Sequence, residues 1–172
     1  MNLLVDRGAI ISDCGTYRYT LFRILGADDP VGRPELTFIG LNPSTADAQK
    51  DDPTIRRCIG FARRLGFDRM NMLNLFAYRA TDPKNLPVDD SVFGPGNSNM
   101  LTHYMGIRGL IVCAWGATPH PMKERAISIV RERALAYGRD LRCLGTTKNG
   151  DPRHPLYLPA DAPLQEWPGA QS

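Results

Sequence analysis

No long apolar run, cysteine cluster or cofactor fingerprint occurs in this chain, and each absence narrows what it can do. No apolar stretch approaches the roughly 20 residues that cross a bilayer, so no membrane partner is expected. MNLLVDRGAI carries no basic leader with a small-residue cleavage site, and a cytoplasmic protein is the expectation. The cysteines at 14, 58, 113 and 143 form no CxxC pair and no histidine stands at metal-ligand spacing from them. His103, His120 and His154 show no HExxH spacing, so no metal or other cofactor is expected. GxSxG, GxxxxGK[ST] and a strand-following GxGxxG are all absent, which excludes the nucleophile elbow, the P-loop and the dinucleotide turn. Charge of one sign is also lacking: 21 Lys+Arg against 18 Asp+Glu leave +3, which permits a nucleic-acid partner without arguing for one.

What is present is an ordinary globular composition, 42% hydrophobic, with 16 glycines and 14 prolines that favour tight connections. One domain over 1–172 is expected, with a short irregular tail from about 159 and a monomer as default. Residues 9–12 and 16–25 read as a hairpin about Asp13-Cys14-Gly15. LTFIG (36–40), MNMLN (70–74), LIVCAW (110–115) and DLRCLG (140–145) read as buried strands. Asp52 as N-cap, Pro53 at the first position and Gly66 at the stop delimit a helix over 53–65, with arginines on its outer side. A short helix over 97–105 and an amphipathic one over 122–138 complete the set. The alternation predicts an α/β fold: a three-layer α/β/α domain with a central, mostly parallel four-stranded sheet plus the N-terminal β-hairpin.

In such sheets ligands bind beyond the carboxyl ends of the strands. There the sequence places FIGLNPSTAD (38–47), Asn74-Leu75-Phe76, Trp115-Gly116 and the stretch from Thr146 to His154. An asparagine amide offers an acceptor and two donors in one plane, which suits a nucleobase edge or the orientation of one water. A histidine on a Pro-bracketed loop can donate to a developing oxyanion.

GLNPS, MLNLFAYRAT, LIVCAWG and HPLYL, in this order over residues 36–158, resemble the motif series of the uracil-DNA glycosylase superfamily. GLNPS, NLFA and HPLYL are also similar to a bacterial and phage domain family of unknown function. The glycosylase resemblance implies Asn42 as the residue that positions water, Asn74 as the pyrimidine reader and His154 as the donor to the base carbonyl. Around them Gly40, Leu41, Pro43, Ser44 and Phe76 join Asn74 as expected substrate contacts, and Asp47 or Asp51 as auxiliary base. Three positions depart from the superfamily pattern. Asn42 replaces the Asp of the fastest members, Ser44 replaces the bulky Tyr that excludes a thymine methyl, and Leu156 replaces the Ser that helps grip a phosphate. An amide takes no proton, so an Asn42→Asp change is expected to speed cleavage.

Three readings follow. One is a hydrolase cleaving the N-glycosidic bond of a pyrimidine, 5-substituted ones included, with nucleic acid or a nucleotide as partner. Another is a nucleobase- or nucleotide-binding module without chemistry. The last is an α/β enzyme of a different reaction class.

Overall fold

Alternating and apolar runs set the strands, and helix caps set the helices, in a computed structural model that describes residues 6–26 and 32–171. The strands are β1 (Arg7–Ile11), β2 (Arg18–Ile24), β3 (Glu35–Gly40), β4 (Arg69–Asn74), β5 (Gly109–Cys113), β6 (Leu141–Cys143) and β7 (Gln165–Glu166). The α-helices are α1 (Pro53–Arg64), α2 (Asn97–Gly106) and α3 (Lys123–Ala136). Helix α1 starts where Asp52 accepts a hydrogen bond from the Ile55 amide at 2.9 Å, with Pro53 filling the position whose N–H has no helical partner.

The sheet corrects the expected architecture. It is seven-stranded and mixed, in the order β1-β2-β4-β3-β5-β6-β7. Three pairings are parallel (β4 with β3, β3 with β5, β5 with β6) and three are antiparallel (β1 with β2, β2 with β4, β6 with β7). The expected hairpin is thus no appendage: β2 runs beside β4, with Leu21 opposite Met72 and Arg23 opposite Met70. Its two arginines mislead a sequence reader, because both are buried. Arg23 lies 2.7 Å from Asp51 and also donates to the Phe22 and Asp47 carbonyls, which satisfies its charge inside the protein.

The far edge holds the second surprise. Gln165 and Glu166 add β7 to β6 within the stretch expected to be irregular. Trp167 follows, buried, its Nε1 donating to the Gly150 carbonyl at 3.0 Å and its ring meeting Trp115 edge-on at 4.9 Å. A two-residue polar strand between Pro163 and Pro168 carries no periodicity to detect.

Both sheet faces are covered. Ile39, Leu73 and Ile111 pack with Leu101 of α2 and Val130 of α3. Leu36, Phe38, Met70 and Val112 pack with Ile55, Cys58 and Phe61 of α1 on the opposite face. Neighbours along one strand serve different layers, which is why LTFIG is apolar throughout rather than alternating.

Candidate functional site

Beyond the carboxyl ends of β3, β4 and β5 lies a cavity of about 730 Å³, closed by the N-terminus of α1 and by the loops at 117–118, 147 and 153–157. Of the expected residues, Gly40, Leu41, Asn42, Ser44, Asn74 and His154 line it; Pro43, Phe76, Asp47 and Asp51 do not.

Asn74 is the last residue of β4 and sits in register with Gly40 of β3. Its side chain is 1% exposed, yet neither Oδ1 nor Nδ2 has a hydrogen-bond partner. Each buried polar group left unpaired costs about 1–3 kcal/mol, so the pair together is a clear burden on stability. Gly40 makes room for this amide: a Cβ there would stand 2.8 Å from Asn74 Oδ1 and 3.0 Å from Met72 Cε. Trp115 and Thr147, whose Nε1 and Oγ1 are also buried without partners, line the same cavity. Residues of the lining therefore carry an unpaired acceptor and several unpaired donors at low exposure.

Asn42 has a structural task that the sequence did not announce. Its Nδ2 donates to the Pro43 carbonyl at 3.1 Å and to the Ala80 carbonyl at 2.8 Å, bracing the turn after β3. The Ala80 amide in turn donates to the Pro43 carbonyl at 2.9 Å. This fixes the amide's orientation and leaves Oδ1 as its free acceptor. Beside the expected gain in rate, Asn42→Asp therefore carries a cost in stability. A carboxylate oxygen would face two carbonyl oxygens, so the change should destabilise the protein by about 1–3 kcal/mol at pH 7. The deficit should shrink near pH 4, where a protonated acid can restore one donated bond. Chemical denaturation of both proteins at the two pH values checks this; an Asn42→Asp variant as stable as wild type at pH 7 would refute it.

His154 caps the 3-10 turn Pro155–Tyr157, its Nδ1 accepting from the Leu156 amide at 3.3 Å. That contact selects the tautomer with hydrogen on Nε2, which has no hydrogen bond within the described residues. Gly116, with φ +72, lets the chain pass beneath it, since a Cβ there would lie 3.2 Å from His154 Cβ. Burial holds the imidazole's pKa below its ordinary value, partly offset by the Asp52 charge. A histidine whose pKa is lower folded than unfolded binds fewer protons in the folded state between the two values. Stability should therefore be lost as pH falls through about 6.5 toward the lowered pKa. The His154 ring should titrate below 6.5 by NMR, and His154→Gln should flatten the acid limb of stability against pH. A midpoint above 6.5 would contradict the burial argument.

The acid that reaches the cavity is Asp52, not the two expected carboxylates. Asp47 Oδ1 accepts from the Gln49 and Lys50 amides at 2.8 Å each, and Asp51 pairs with Arg23. Asp52 is buried but lines the cavity, and its charge acts on both His154 and Arg18. Phe76 is placed elsewhere as well: its backbone continues the β3–β4 pairing by donating to the Leu41 carbonyl, while its ring packs against Phe93 and His120. Pro43 lies outside the lining, its carbonyl accepting from the Asn42 side chain and the Ala80 amide.

Two further residues escaped the sequence reading. Arg18 enters from the start of β2; its signal was a cation at an inward strand position. Lys123 is buried, its Nζ donating to the Gly116 carbonyl and to Asp151 Oδ1 at 2.8 Å each, which pins the Trp115–Gly116 turn. Its signal was a lysine in the first turn of a helix, where the dipole disfavours a cation. The arginine face of α1 is also partly engaged. Arg57 donates to the Pro155 and Leu158 carbonyls and Arg64 to the Ala162 carbonyl, both guanidinium groups lying over Phe61. They hold the loop that carries His154 rather than lying free in solvent.

Among the described residues no group of three His, Cys, Asp or Glu side chains is placed to hold a metal ion. Nor is any helix among them long and apolar enough to cross a membrane. Residues 18–156 match the family described as Protein of unknown function (DUF1643), and the chain belongs to that family. No curated protein and no solved structure matches it.

Proposed function

We propose that this DUF1643 protein takes a pyrimidine base into the cavity and hydrolyses its N-glycosidic bond, as the resemblance to uracil-DNA glycosylases implies. The observation that carries the reading is the Asn74 amide, 1% exposed with both polar atoms unpaired beside the cavity. A planar donor–acceptor pair complements the N3–H and exocyclic carbonyl edge of a pyrimidine, and pairing it removes the cost of its burial. His154 Nε2–H donates to the other base carbonyl as negative charge arrives there. Asn42 Oδ1 orients a water, and Asp52 takes that water's proton. The water oxygen bonds to the sugar's anomeric carbon as the carbon–nitrogen bond breaks. The bonding pair leaves with the base, which is later protonated. The Asp52 charge also stabilises the cationic sugar of the transition state.

Ser44, which lines the cavity, leaves room for a substituent at the pyrimidine 5-position. A binding module without chemistry is the second reading, favoured by the engagement of the Asn42 amide in its own loop. One experiment separates them: oligonucleotides and nucleotides bearing U, mismatched T and 5-modified pyrimidines, assayed for free base. Release of a base supports the hydrolase; saturable binding with no release supports the module; neither binding nor release on the whole panel overturns both.

A further inference from the structure

We infer that Arg18 forms a phosphate subsite within this cavity, so that the ligand is a phosphate-bearing pyrimidine nucleotide rather than a neutral base or nucleoside. The inference rests on the nucleobase reading above for the base and on Arg18 alone for the phosphate.

Arg18 is 2% exposed and lines the cavity. Its side chain makes one hydrogen bond, from NH1 to the Ala46 carbonyl at 2.9 Å, and its buried Nε has no partner. Among the described residues it forms no ion pair. Arg23, five positions along the same strand and equally buried, shows how this fold neutralises an internal guanidinium: a carboxylate at 2.7 Å and several carbonyl acceptors. Arg18 receives no such set. Asp52, the acid whose field it feels most, is engaged in capping α1 at Ile55. Desolvation lowers the Arg18 pKa to about 10, which leaves it cationic at neutral pH. A buried guanidinium with no carboxylate in direct contact is costly, and an anionic ligand group lowers that cost through charge-assisted hydrogen bonds.

A second feature points the same way. Pro53 and Thr54, at the N-terminus of the 12-residue helix α1, line the cavity, so the positive end of its dipole faces the same space. Arg153 stands exposed at the mouth and adds a third positive element. The volume, about 730 Å³, lies in the range that holds a molecule of nucleotide size.

Calorimetric titration of the full chain with uridine, uridine 5′-monophosphate, inorganic phosphate and a short uridine-containing oligonucleotide tests this. The expected result is that the monophosphate binds at least about 10-fold tighter than uridine. Arg18→Gln should erase that difference while leaving uridine affinity within about 3-fold, and Arg18→Lys should retain part of it. Equal affinity of wild type for uridine and its monophosphate overturns the inference, even if Arg18→Gln does not fold. Arg18-dependent binding of the oligonucleotide supports it and identifies a strand as the phosphate source; tighter Arg18-dependent binding of the mononucleotide supports it with a free nucleotide as the source. The base reading fails separately: Asn74→Ala then leaves monophosphate affinity unchanged, while inorganic phosphate still binds wild type and not Arg18→Gln.

Discussion

Asp52→Asn should lower base release by on the order of 100- to 10,000-fold while leaving the fold intact. Asparagine is as good an N-cap as aspartate, and its carbonyl oxygen can keep the 2.9 Å hydrogen bond from the Ile55 amide. What disappears is the charge and the ability to accept a proton. Asp52 carries both functions because it lines the cavity, whereas Asp47 and Asp51 do not: Asp47 is held by two backbone amides and Asp51 by Arg23. Single-turnover base release, read alongside the thermal midpoint of each protein, is the check. A variant within about 3-fold of wild type would mean that water is activated by another group. Asp52→Ala serves as the contrast, since it loses the cap as well and should cost about 1 kcal/mol of stability besides the rate.

Gly40→Ala should weaken ligand binding by on the order of 100-fold and destabilise the protein by about 1–3 kcal/mol. The backbone is not the obstacle, for Gly40 is not among the residues with positive φ. Crowding is: the new methyl would stand 2.8 Å from Asn74 Oδ1. Met72 Cε, at 3.0 Å, ends a flexible side chain and can move aside. The amide cannot move without leaving the position from which it reads the base. Gly60→Ala, on the outer side of α1 with nothing within 4 Å of the added carbon, is the control. It should be neutral or stabilising by up to about 1 kcal/mol. Affinities and denaturation midpoints of the three proteins decide the matter. Wild-type affinity in Gly40→Ala would show that Asn74 does not touch the ligand.

Both predictions turn on residues whose types were legible in the sequence but whose tasks were not. An asparagine after an apolar strand announces a strand-end polar group, and Asn42 and Asn74 both fit that description. Only packing separates them: the Asn42 side chain donates to carbonyls of its own loop and of residue 80, whereas the Asn74 side chain finds no partner. Asp52 read as a helix cap and is one; that the cap also borders the cavity depends on where α1 docks against the sheet. Phe76 follows Asn74 in sequence, yet its ring lies in the layer shared with α2 and α3.

By itself the sequence determined the local elements that short-range physics controls. A buried run of alternate-layer apolar residues makes β3, an Asp-Pro start makes α1, and the apolar stretch before Trp115 makes β5. Those choices follow from propensity, capping and desolvation within a few residues, so they leave a local imprint. The mixed sheet, the addition of β7, the convergence of Arg18 and the unpaired Asn74 amide on one cavity and the bracing of the His154 loop by Arg57 and Arg64 left none. Each joins residues far apart in the chain: 98 positions separate Arg64 from Ala162, and 28 separate Arg18 from Ala46. Whether a buried charge meets a carboxylate or an open cavity is settled by which elements surround it, and only the tertiary structure decides that.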